Sequence, residues 1–117
     1  ISSGLPPHKL RRAIAYIDEH LEQELSLAKI AAVTHTSVTH FLRLFRHDTG
    51  MTPHQFVIWR RIARARQLLV DTELSLSEIG NRVGFTDQSH FIAVFRKHVG
   101  LTPRLYRRST SSLIEEV

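Results

Sequence analysis

The chain contains an internal repeat, and this repeat limits the possible folds more than any other feature of the sequence. Segment 40–46 reads HFLRLFR, and segment 90–96 reads HFIAVFR. Two further matching segments, LSLAKI at 25–30 and LSLSEI at 74–79, precede them in the same order. Because repeats of this kind reflect duplicated structural units, we expect two similar units in one chain.

The second copy predicts a short helix, a tight turn and a second helix. Ser75 is the N-cap candidate of the short helix, and Gly84 supplies the bend because glycine tolerates positive φ without steric cost. Asp87, or Thr86 before it, caps the next helix, since its side-chain oxygen can accept a hydrogen bond from an orphan backbone N–H. Gly100 then stops this helix.

The first copy has the same order of signals. Ser26 and Ser37 are the matching cap candidates, and Gly50 is the matching stop signal. In both copies the second helix has an apolar stripe at helical spacing, which we expect to be buried. The stripe residues are Phe41, Leu44 and Phe45 in the first copy, and Phe91, Val94 and Phe95 in the second.

A long helix is expected between the two copies. It starts at Pro53, since proline after a capping threonine is a strong start signal, and it runs to about residue 70. At about 1.5 Å per residue, its ~18 residues span roughly 27 Å. Apolar residues occupy two of its sides, and we expect both sides to be buried. They are Phe56, Trp59 and Ala63 on one side, and Ile58, Ile62, Ala65 and Leu69 on the other.

The ends of the chain are expected to be less regular. Residues 1–7 read as a linker, and a first helix should run from about residue 8 to residue 23. A short last helix starts at Pro103 and ends near residue 108, which leaves residues 109–117 as a C-terminal tail. Because the first residue is Ile and not Met, we expect the chain to be part of a longer protein.

The basic residues favour a nucleic-acid partner. The chain has 117 residues and a formal net charge of +5, and thirteen of its sixteen basic residues are arginines. Arginine suits planar, bidentate contacts to phosphate and guanine, although an ordinary basic surface has the same composition. Six arginines and a single acid, Asp48, lie between Thr39 and Arg66. An acidic cluster lies apart from them, formed by Asp18, Glu19, Glu22 and Glu24.

Several other functions lack the residues that they need. The chain has no cysteine, so a disulfide framework and a thiolate metal site are excluded. It has no glycine-rich phosphate loop and no paired acids at catalytic spacing, and none of its eight histidines forms a close pair with acidic support. We therefore expect no enzyme activity, no metal and no cofactor. The chain also lacks an apolar run of about 20 residues that would span a membrane, and we interpret it as a cytoplasmic protein.

Two helix-turn-helix patterns in one chain, with GFTDQSHF at 84–91 and a Gly-x-Thr-Pro sequence after each copy, resemble the AraC/XylS family of bacterial transcription regulators. The resemblance covers roughly residues 8–108. It implies an all-α, seven-helix domain, with subdomain one at about 8–52, a linker helix at about 53–70 and subdomain two at about 74–108. It also implies that each subdomain inserts a recognition helix into one of two adjacent major grooves, which repeat about every 34 Å along DNA.

The first turn departs from the family pattern. His35 stands where members of the family often carry glycine, and Thr36 stands where they usually carry an apolar residue. We therefore expect the first turn to be less tight or less stable than the second.

Eight positions are predicted to contact bases. They are Val38, Thr39, Leu42, Arg43, Gln88, Ser89, Ile92 and Ala93. The resemblance gives all of them except Val38, which is added because its side chain can pack on a thymine methyl group. Arg43 can grip guanine O6 and N7 with two donors; alternatively, it only touches a phosphate or caps a helix. Gln88 can pair with adenine. Ile92 either packs on a methyl group or is simply exposed. Ala93 replaces a long basic reader, so we expect the first copy to supply more of the base recognition.

Seven further positions are predicted to contact phosphates. They are Ser37, His40, Arg46, His47, His90, Arg96 and Lys97. The predicted function is sequence-specific binding of double-stranded DNA by a transcription regulator in the bacterial nucleoid, an activator in preference to a repressor. The alternative is a protein-interaction module that contacts RNA polymerase, with the acidic cluster as one contact surface, and binds DNA only weakly. We expect the isolated domain to be a monomer, and the longer protein to dimerise through an upstream domain.

Overall fold

The computed structural model describes residues 4–115, with side chains described as far as residue 111. This part of the chain contains seven α-helices and no strand, which confirms the expected all-α fold. The helices are α1 (Pro7–Glu19), α2 (Leu27–Val33), α3 (Val38–Thr49), α4 (Pro53–Asp71), α5 (Leu76–Arg82), α6 (Gln88–Val99) and α7 (Pro103–Glu115). Two compact units divide the chain, unit 1 (Ile1–Arg60) and unit 2 (Arg61–Val117), and their boundary falls inside α4. Over the described helices, none has both the length and the apolar composition needed to cross a bilayer.

Side-chain caps start the two short helices and the two second helices of the repeat. The cap residues are Ser26, Ser37, Ser75 and Asp87. Their side-chain oxygens accept hydrogen bonds of 2.9–3.2 Å from the backbone N–H groups of Lys29, His40, Glu78 and Ser89. Because the first N–H groups of a helix have no partner within the helix, each cap satisfies one of them and fixes the start of its helix. The four predicted caps are confirmed, with Asp87 and not Thr86 as the cap of α6.

The predicted stop and start signals around α4 and α7 are also confirmed. α3 and α6 end at Gly50 and Gly100, whose φ angles are +75° and +91°, and each glycine N–H donates to the carbonyl oxygen four residues earlier. The hydroxyl of Thr52 then accepts from the N–H of Gln55, while the Gln55 side chain accepts from the N–H of Thr52. This reciprocal capping box fixes the start of α4.

The helices of unit 1 each pack one face into a common hydrophobic core. Its buried apolar residues include Ala13, Ile17, Ile30, Ala31, Phe41, Leu44, Phe45, Phe56 and Val57. The ring centroids of Phe41 and Phe45 lie 5.4 Å apart, and Phe56 meets Phe45 edge-on at 5.3 Å. Because Phe41 and Phe45 are four positions apart, both lie on the buried side of α3, and the opposite side is left to solvent.

The core of unit 2 uses the same two phenylalanine positions of the repeat. Its buried apolar residues include Ile62, Ala65, Leu69, Ile79, Val83, Phe85, Phe91 and Phe95. Phe91 meets Phe95 at a centroid distance of 5.9 Å, and Phe95 meets Tyr106 of α7 edge-on at 5.6 Å. Val94 was expected in the same stripe but is only half-buried. The stripe of α6 is therefore narrower than the one predicted.

α1 is shorter than the sequence predicts. It ends at Glu19 and not near residue 23, because the chain leaves the helix at His20, where φ is −124°. The His20 ring donates from Nδ1 to the Tyr16 carbonyl oxygen at 2.7 Å and stacks on the Tyr16 ring. The side chain of His20 thus takes the carbonyl that its own N–H would use in a continuing helix, and this N–H turns to Ile17 instead.

α7 is longer than the sequence predicts. It continues to Glu115, so the predicted tail at 109–117 is helical as far as the structure describes it, and residues 116–117 lie outside the described part. No glycine or proline follows Pro103 to stop the helix. The hydroxyl of Thr110 donates to the carbonyl oxygens of Tyr106 and Arg107 at 3.0 Å each, a contact that is compatible with a helix.

The start of the chain is attached to unit 1 where a linker was expected. Leu5 is only 6% exposed and lies in the core of unit 1, and its N–H donates to the carboxylate of Asp48 at 2.9 Å. Residues 1–3 lie outside the described part of the chain. The predicted linker at 1–7 is therefore wrong for Leu5, and also for Pro7, which begins α1.

The two apolar sides expected on α4 are buried to different extents. Ile62, Ala65 and Leu69 are at most 3% exposed, whereas Trp59 is 45% exposed and Ala63 is exposed as well. Burial of this side is confirmed for Phe56, which is 6% exposed, and is wrong for Trp59 and Ala63. On the other side, Ile58 is only half-buried. The indole of Trp59 instead contacts its own helix, where it meets the ring of Phe56 edge-on at 5.6 Å.

Candidate nucleic-acid interface

In unit 1, α3 presents an exposed face on the side opposite its buried phenylalanines. The predicted contact residues of this helix are all exposed, and they are Val38, Thr39, His40, Leu42, Arg43, Arg46 and His47. Two of them are large apolar residues, with 41% of Val38 and 36% of Leu42 exposed. A face with both apolar and basic side chains can contact the edges of DNA bases. An apolar side chain can pack on a thymine methyl group, and a basic side chain can donate hydrogen bonds to guanine or to a phosphate.

The turn before α3 holds its shape with polar side chains. His35 has a φ of +54°, the only positive φ outside glycine among the described residues. Thr34 is fully buried, and its hydroxyl donates to the carbonyl oxygen of Ala31 at 2.8 Å. The hydroxyl of Thr36 donates to the carbonyl oxygen of Thr34 at 3.1 Å. Two threonine hydroxyls therefore satisfy carbonyls of a turn that forces His35 into the left-handed region, which costs a non-glycine residue free energy.

Two of the predicted contact residues on α3 contact each other. Arg43 Nη2 lies 3.1 Å from Nδ1 of His40, one helical turn earlier. His40 and Arg43 were predicted separately, as a phosphate contact and a base contact, and the sequence did not predict that they pair. A spacing of three on a helix brings two side chains within reach, so the signal was present but unused.

Two further predicted contact residues around α3 have local partners. The hydroxyl of Ser37 accepts from the His40 N–H, so its lone pairs serve the helix cap. His47 Nδ1 lies 3.4 Å from a carboxylate oxygen of Asp48. Arg46 is exposed in the last turn of α3. Three of the four predicted phosphate contacts in unit 1, Ser37, His40 and His47, therefore also make contacts within the unit.

In unit 2, α6 presents a smaller and more polar face. Gln88, Ser89 and Ala93 are exposed, as are Arg96 and Lys97 in the last turn. Ile92 is half-buried, so it is neither a fully exposed apolar residue nor a core residue. The positions of α6 that are predicted to contact bases therefore carry no cation, and the basic residues of α6 lie in its last turn.

The turn before α6 is closed by an aromatic residue. Gly84 has a φ of +100°, and Phe85 is 4% exposed. The ring of Phe85 meets Phe91 at 5.3 Å and His90 edge-on at 5.5 Å. The N–H of Phe85 donates to the carbonyl oxygen of Gly80 at 2.8 Å. His90, predicted as a phosphate contact, is exposed but has one side of its ring against this turn.

Some arginines of the basic segment 39–66 have structural partners. Arg60 donates from Nε to the Asp18 carboxylate at 2.8 Å and from Nη2 to the second oxygen of the same carboxylate. This hydrogen bonding raises the pKa of Arg60 above its ordinary value, whereas burial lowers the pKa of Arg61. Asp18 is therefore engaged within unit 1, and the acidic cluster that remains exposed is Glu19, Glu22 and Glu24.

Arg107 was not predicted as a structural residue, and its guanidinium donates to three backbone carbonyls. Its Nε donates to Leu69 at 3.1 Å, its Nη1 to Leu74 at 2.7 Å and its Nη2 to Thr72 at 3.2 Å. Leu69 lies in the last turn of α4, where carbonyl groups lack partners within the helix. Arg107 thus ties α7 to the end of α4 and to the loop before α5.

No metal centre is formed by the described part of the chain, where no three His, Asp or Glu side chains come together to hold an ion. The geometry in each unit is instead that of a helix-turn-helix: a short helix, a turn with a positive φ, and a second helix with a polar face over two buried phenylalanines.

Comparisons with known proteins agree with this geometry. A sequence model of a family described as a helix-turn-helix domain matches residues 30–109. The transcriptional activator RhaS of Enterobacter sp. is 30% identical over 107 residues, which are 92% of this chain and 38% of RhaS. The chain thus spans less than half the length of such curated relatives.

Two solved structures are similar over almost their whole lengths. An AraC-type DNA-binding domain protein from Chromobacterium violaceum has a TM-score of 0.83 and 34% identity, with 88% of this chain and 92% of that chain covered. The DNA-binding domain of AdpA, solved in complex with a target DNA, has a TM-score of 0.84 and 31% identity, with 89% and 94% covered. The chain therefore belongs to the family of AraC-type helix-turn-helix DNA-binding domains.

Proposed function

We propose that the chain recognises specific DNA sequences with α3 and α6, each inserted into one of two adjacent major grooves. The observation that carries the proposal is the exposed, cation-bearing face of α3 over two fully buried phenylalanines. α6 repeats the buried pair under an exposed polar face, with its cations in the last turn. A major groove admits one α-helix, and a helix held by two buried rings can place its opposite face there without disturbing the core.

The two helices would contribute different contacts. On α3, Arg43 reads guanine, and the side chains of Thr39, Leu42 and Val38 contact the edges of bases. On α6, Gln88 and Ser89 contact bases, with Ile92 and Ala93 packed near them. The cations Arg46, Arg96 and Lys97 neutralise phosphates, together with Ser37, His40, His47 and His90. Phosphate contacts fix the register of the protein on the duplex, and base contacts determine which sequence is bound.

For the longer protein, we propose a transcription activator of the bacterial cytoplasm that acts at the nucleoid. The similarity to RhaS, which is named as an activator, supports activation over repression. Contact with RNA polymerase would be made by the exposed acids Glu19, Glu22 and Glu24. We propose that this domain alone is a monomer, and that the longer protein dimerises through a segment upstream of it.

Selection of bound duplexes from a random pool tests the DNA-binding proposal. We expect an asymmetric site with two clusters of preferred bases about one helical turn apart, because the two faces carry different residues. A palindromic site, or no enrichment at all, would contradict the model of two different readers. The same selection with the Arg43→Ala variant should lose preference in one cluster only.

A second candidate function is a protein-interaction module that binds RNA polymerase and only weakly binds DNA. The exposed acids at 19, 22 and 24 favour it, since they cannot contact phosphates. Salt dependence separates the two functions. A DNA binder that neutralises about six phosphates should lose roughly a thousandfold in affinity between about 50 and 200 mM salt. A nearly constant affinity for DNA over this range would favour the interaction module.

A further inference from the structure

The guanidinium of Arg43 is held by the imidazole of His40, and this contact fixes the state of the ring. A guanidinium carries donors only, so His40 Nδ1, 3.1 Å from Arg43 Nη2, must be the acceptor. With Nδ1 as the acceptor, the N–H of the ring lies on Nε2. One nitrogen of His40 thus faces Arg43, and the other is a hydrogen-bond donor.

The part of α3 that carries His40 is held in place by its neighbours. The backbone N–H of His40 donates to the cap residue Ser37, which places His40 at the third position of α3. The next residue, Phe41, is fully buried and fixes the rotation of the helix. An acceptor on this support limits the many rotamers of Arg43 to those that reach the ring. The contact uses one of five N–H donors, and a bidentate pair with guanine needs only two of the others.

We infer that His40 is a positioning residue that sets the base preference of Arg43, an inference that rests on the proposed function of Arg43 as a base reader. His40 Nδ1 holds the guanidinium in the conformation that meets guanine. Its Nε2–H donates to a phosphate oxygen of the same duplex. The two ring nitrogens therefore have separate effects: Nδ1 acts on the discrimination between bases, and Nε2 acts on affinity for all sequences.

Unit 2 has the equivalent histidine without this role. His90 occupies the same position in the repeat, but the residue three positions later is Ala93, which has no donor to hold. The ring of His90 instead meets Phe85 edge-on at 5.5 Å. The same residue type therefore supports the turn in unit 2 and the reading arginine in unit 1.

The test measures the affinity of the whole chain for duplexes that carry each of the four base pairs at every position of the selected site. Arg43→Ala first identifies the base pair that Arg43 reads, as the position where discrimination is lost. His40→Ala should then reduce discrimination at that base pair by roughly two- to tenfold, the effect of losing one hydrogen bond, and leave the other positions unchanged.

Two conservative variants separate the nitrogens of the ring. The amide oxygen of His40→Asn can take the place of Nδ1, so this variant should restore discrimination but not the affinity that Nε2–H supplies. The amide of His40→Gln reaches the place of Nε2, so it should keep the general affinity and lose discrimination. His90→Ala is the matched control, and it should weaken binding to all duplexes equally.

The outcomes are distinguishable. If His40→Ala leaves discrimination intact, or if His40→Asn loses as much discrimination as His40→Ala, the inference is wrong while base reading by Arg43 stands. If the wild-type chain enriches no site, or if Arg43→Ala changes no preference, the proposed function fails and the inference fails with it, before any His40 variant is measured. Thermal unfolding followed by circular dichroism verifies that each variant is folded.

Discussion

The two turns of the repeat reach similar conformations by different chemistry. In unit 1, the buried hydroxyl of Thr34 and the hydroxyl of Thr36 satisfy backbone carbonyls, and His35 accepts a φ of +54°. In unit 2, Gly84 accepts a φ of +100°, and the ring of Phe85 fills the core behind the turn. In each unit, one backbone N–H of the turn donates to a carbonyl oxygen of the short helix. The distance is 3.3 Å from Thr36 N to Ala31 O in unit 1, and 2.8 Å from Phe85 N to Gly80 O in unit 2.

The better-formed turn and the stronger reader that we propose belong to different units. Unit 2 carries glycine and an aromatic residue in its turn, but it has Ala93 where unit 1 has Arg43. Unit 1 has a turn without glycine, yet its second helix carries an arginine held by a neighbouring side chain. We infer that turn quality mainly affects the stability of a unit, whereas the exposed face determines its contribution to recognition.

The largest effect is expected at Arg107, which ties the helices of unit 2. Arg107→Ala removes three hydrogen bonds from a guanidinium to backbone carbonyls, so we expect unit 2 to lose about 2–4 kcal/mol of unfolding free energy. Denaturant unfolding of the variant measures the loss. Arg107→Lys should recover only part of it, because an ammonium cannot reproduce the planar set of donors.

The matched change in unit 1 is Arg60→Ala. It removes the ion pair with Asp18, in which the two side chains are 36% and 34% exposed, so solvent screens the pair and we expect a loss of about 1 kcal/mol or less. A loss as large as that of Arg107→Ala would show that both units depend equally on a single arginine.

The next effect concerns recognition. Arg43→Ala should weaken binding to the selected site by about 1–3 kcal/mol and relax the preference at one base pair. Gln88→Ala in α6 should cost less, since none of the positions of α6 that we propose to contact bases is an arginine. Affinities for single-substituted duplexes measure both. If Gln88→Ala costs more than Arg43→Ala, unit 2 is the stronger reader and the ranking of the two faces is reversed.

A substitution in each turn tests the cost of its conformation. Gly84→Ala places a Cβ at a φ of +100° and should destabilise unit 2 by about 1–2 kcal/mol. His35→Gly relieves the left-handed strain and should stabilise unit 1 by up to about 1 kcal/mol, because the greater freedom of glycine in the unfolded chain offsets part of the gain. Thermal unfolding of both variants gives the comparison. Destabilisation by His35→Gly would mean that the imidazole of His35 itself supports the turn.

The smallest effect is expected at the equivalent cations Arg46 and Arg96. Arg46→Ala should weaken binding to all sequences alike and reduce the slope of affinity against salt by about one. Arg96→Ala should do the same, because both residues lie in the last turn of their helices. Titrations at several salt concentrations with specific and random duplexes measure the slope. A loss confined to the specific duplex would make either arginine a base reader.

The sequence predicts those parts of the fold that depend on neighbouring residues. The four caps and the stops at Gly50 and Gly100 follow from local hydrogen bonding, and the buried pairs of phenylalanines follow from helical spacing. The contacts of Arg107 could not be predicted in this way, because their partners are 33 to 38 positions away in the chain. The exposure of Trp59 also depends on packing between residues that are distant in the sequence. Helical periodicity alone wrongly predicts that Trp59 is buried.

The candidate site divides in the same manner. The exposed faces of α3 and α6 were found because burial of every third or fourth residue leaves the other positions outside. The roles of individual side chains on these faces depend on their rotamers, which the sequence does not give. His40 is an example. Its spacing from Arg43 allows a contact, but the same spacing in unit 2 offers His90 only an alanine.

The placement of Trp59 gives the protein a spectroscopic label of its own. It is the only tryptophan in the chain, it lies in unit 1, and its ring is close to Phe56 and to the guanidinium of Arg60, 5.7 Å from its centroid. Indole emission responds to such neighbours, so fluorescence will follow the melting of unit 1, whereas the helical ellipticity follows both units. When the two signals are recorded in one titration, their midpoints separate if the units unfold independently and coincide if they unfold together.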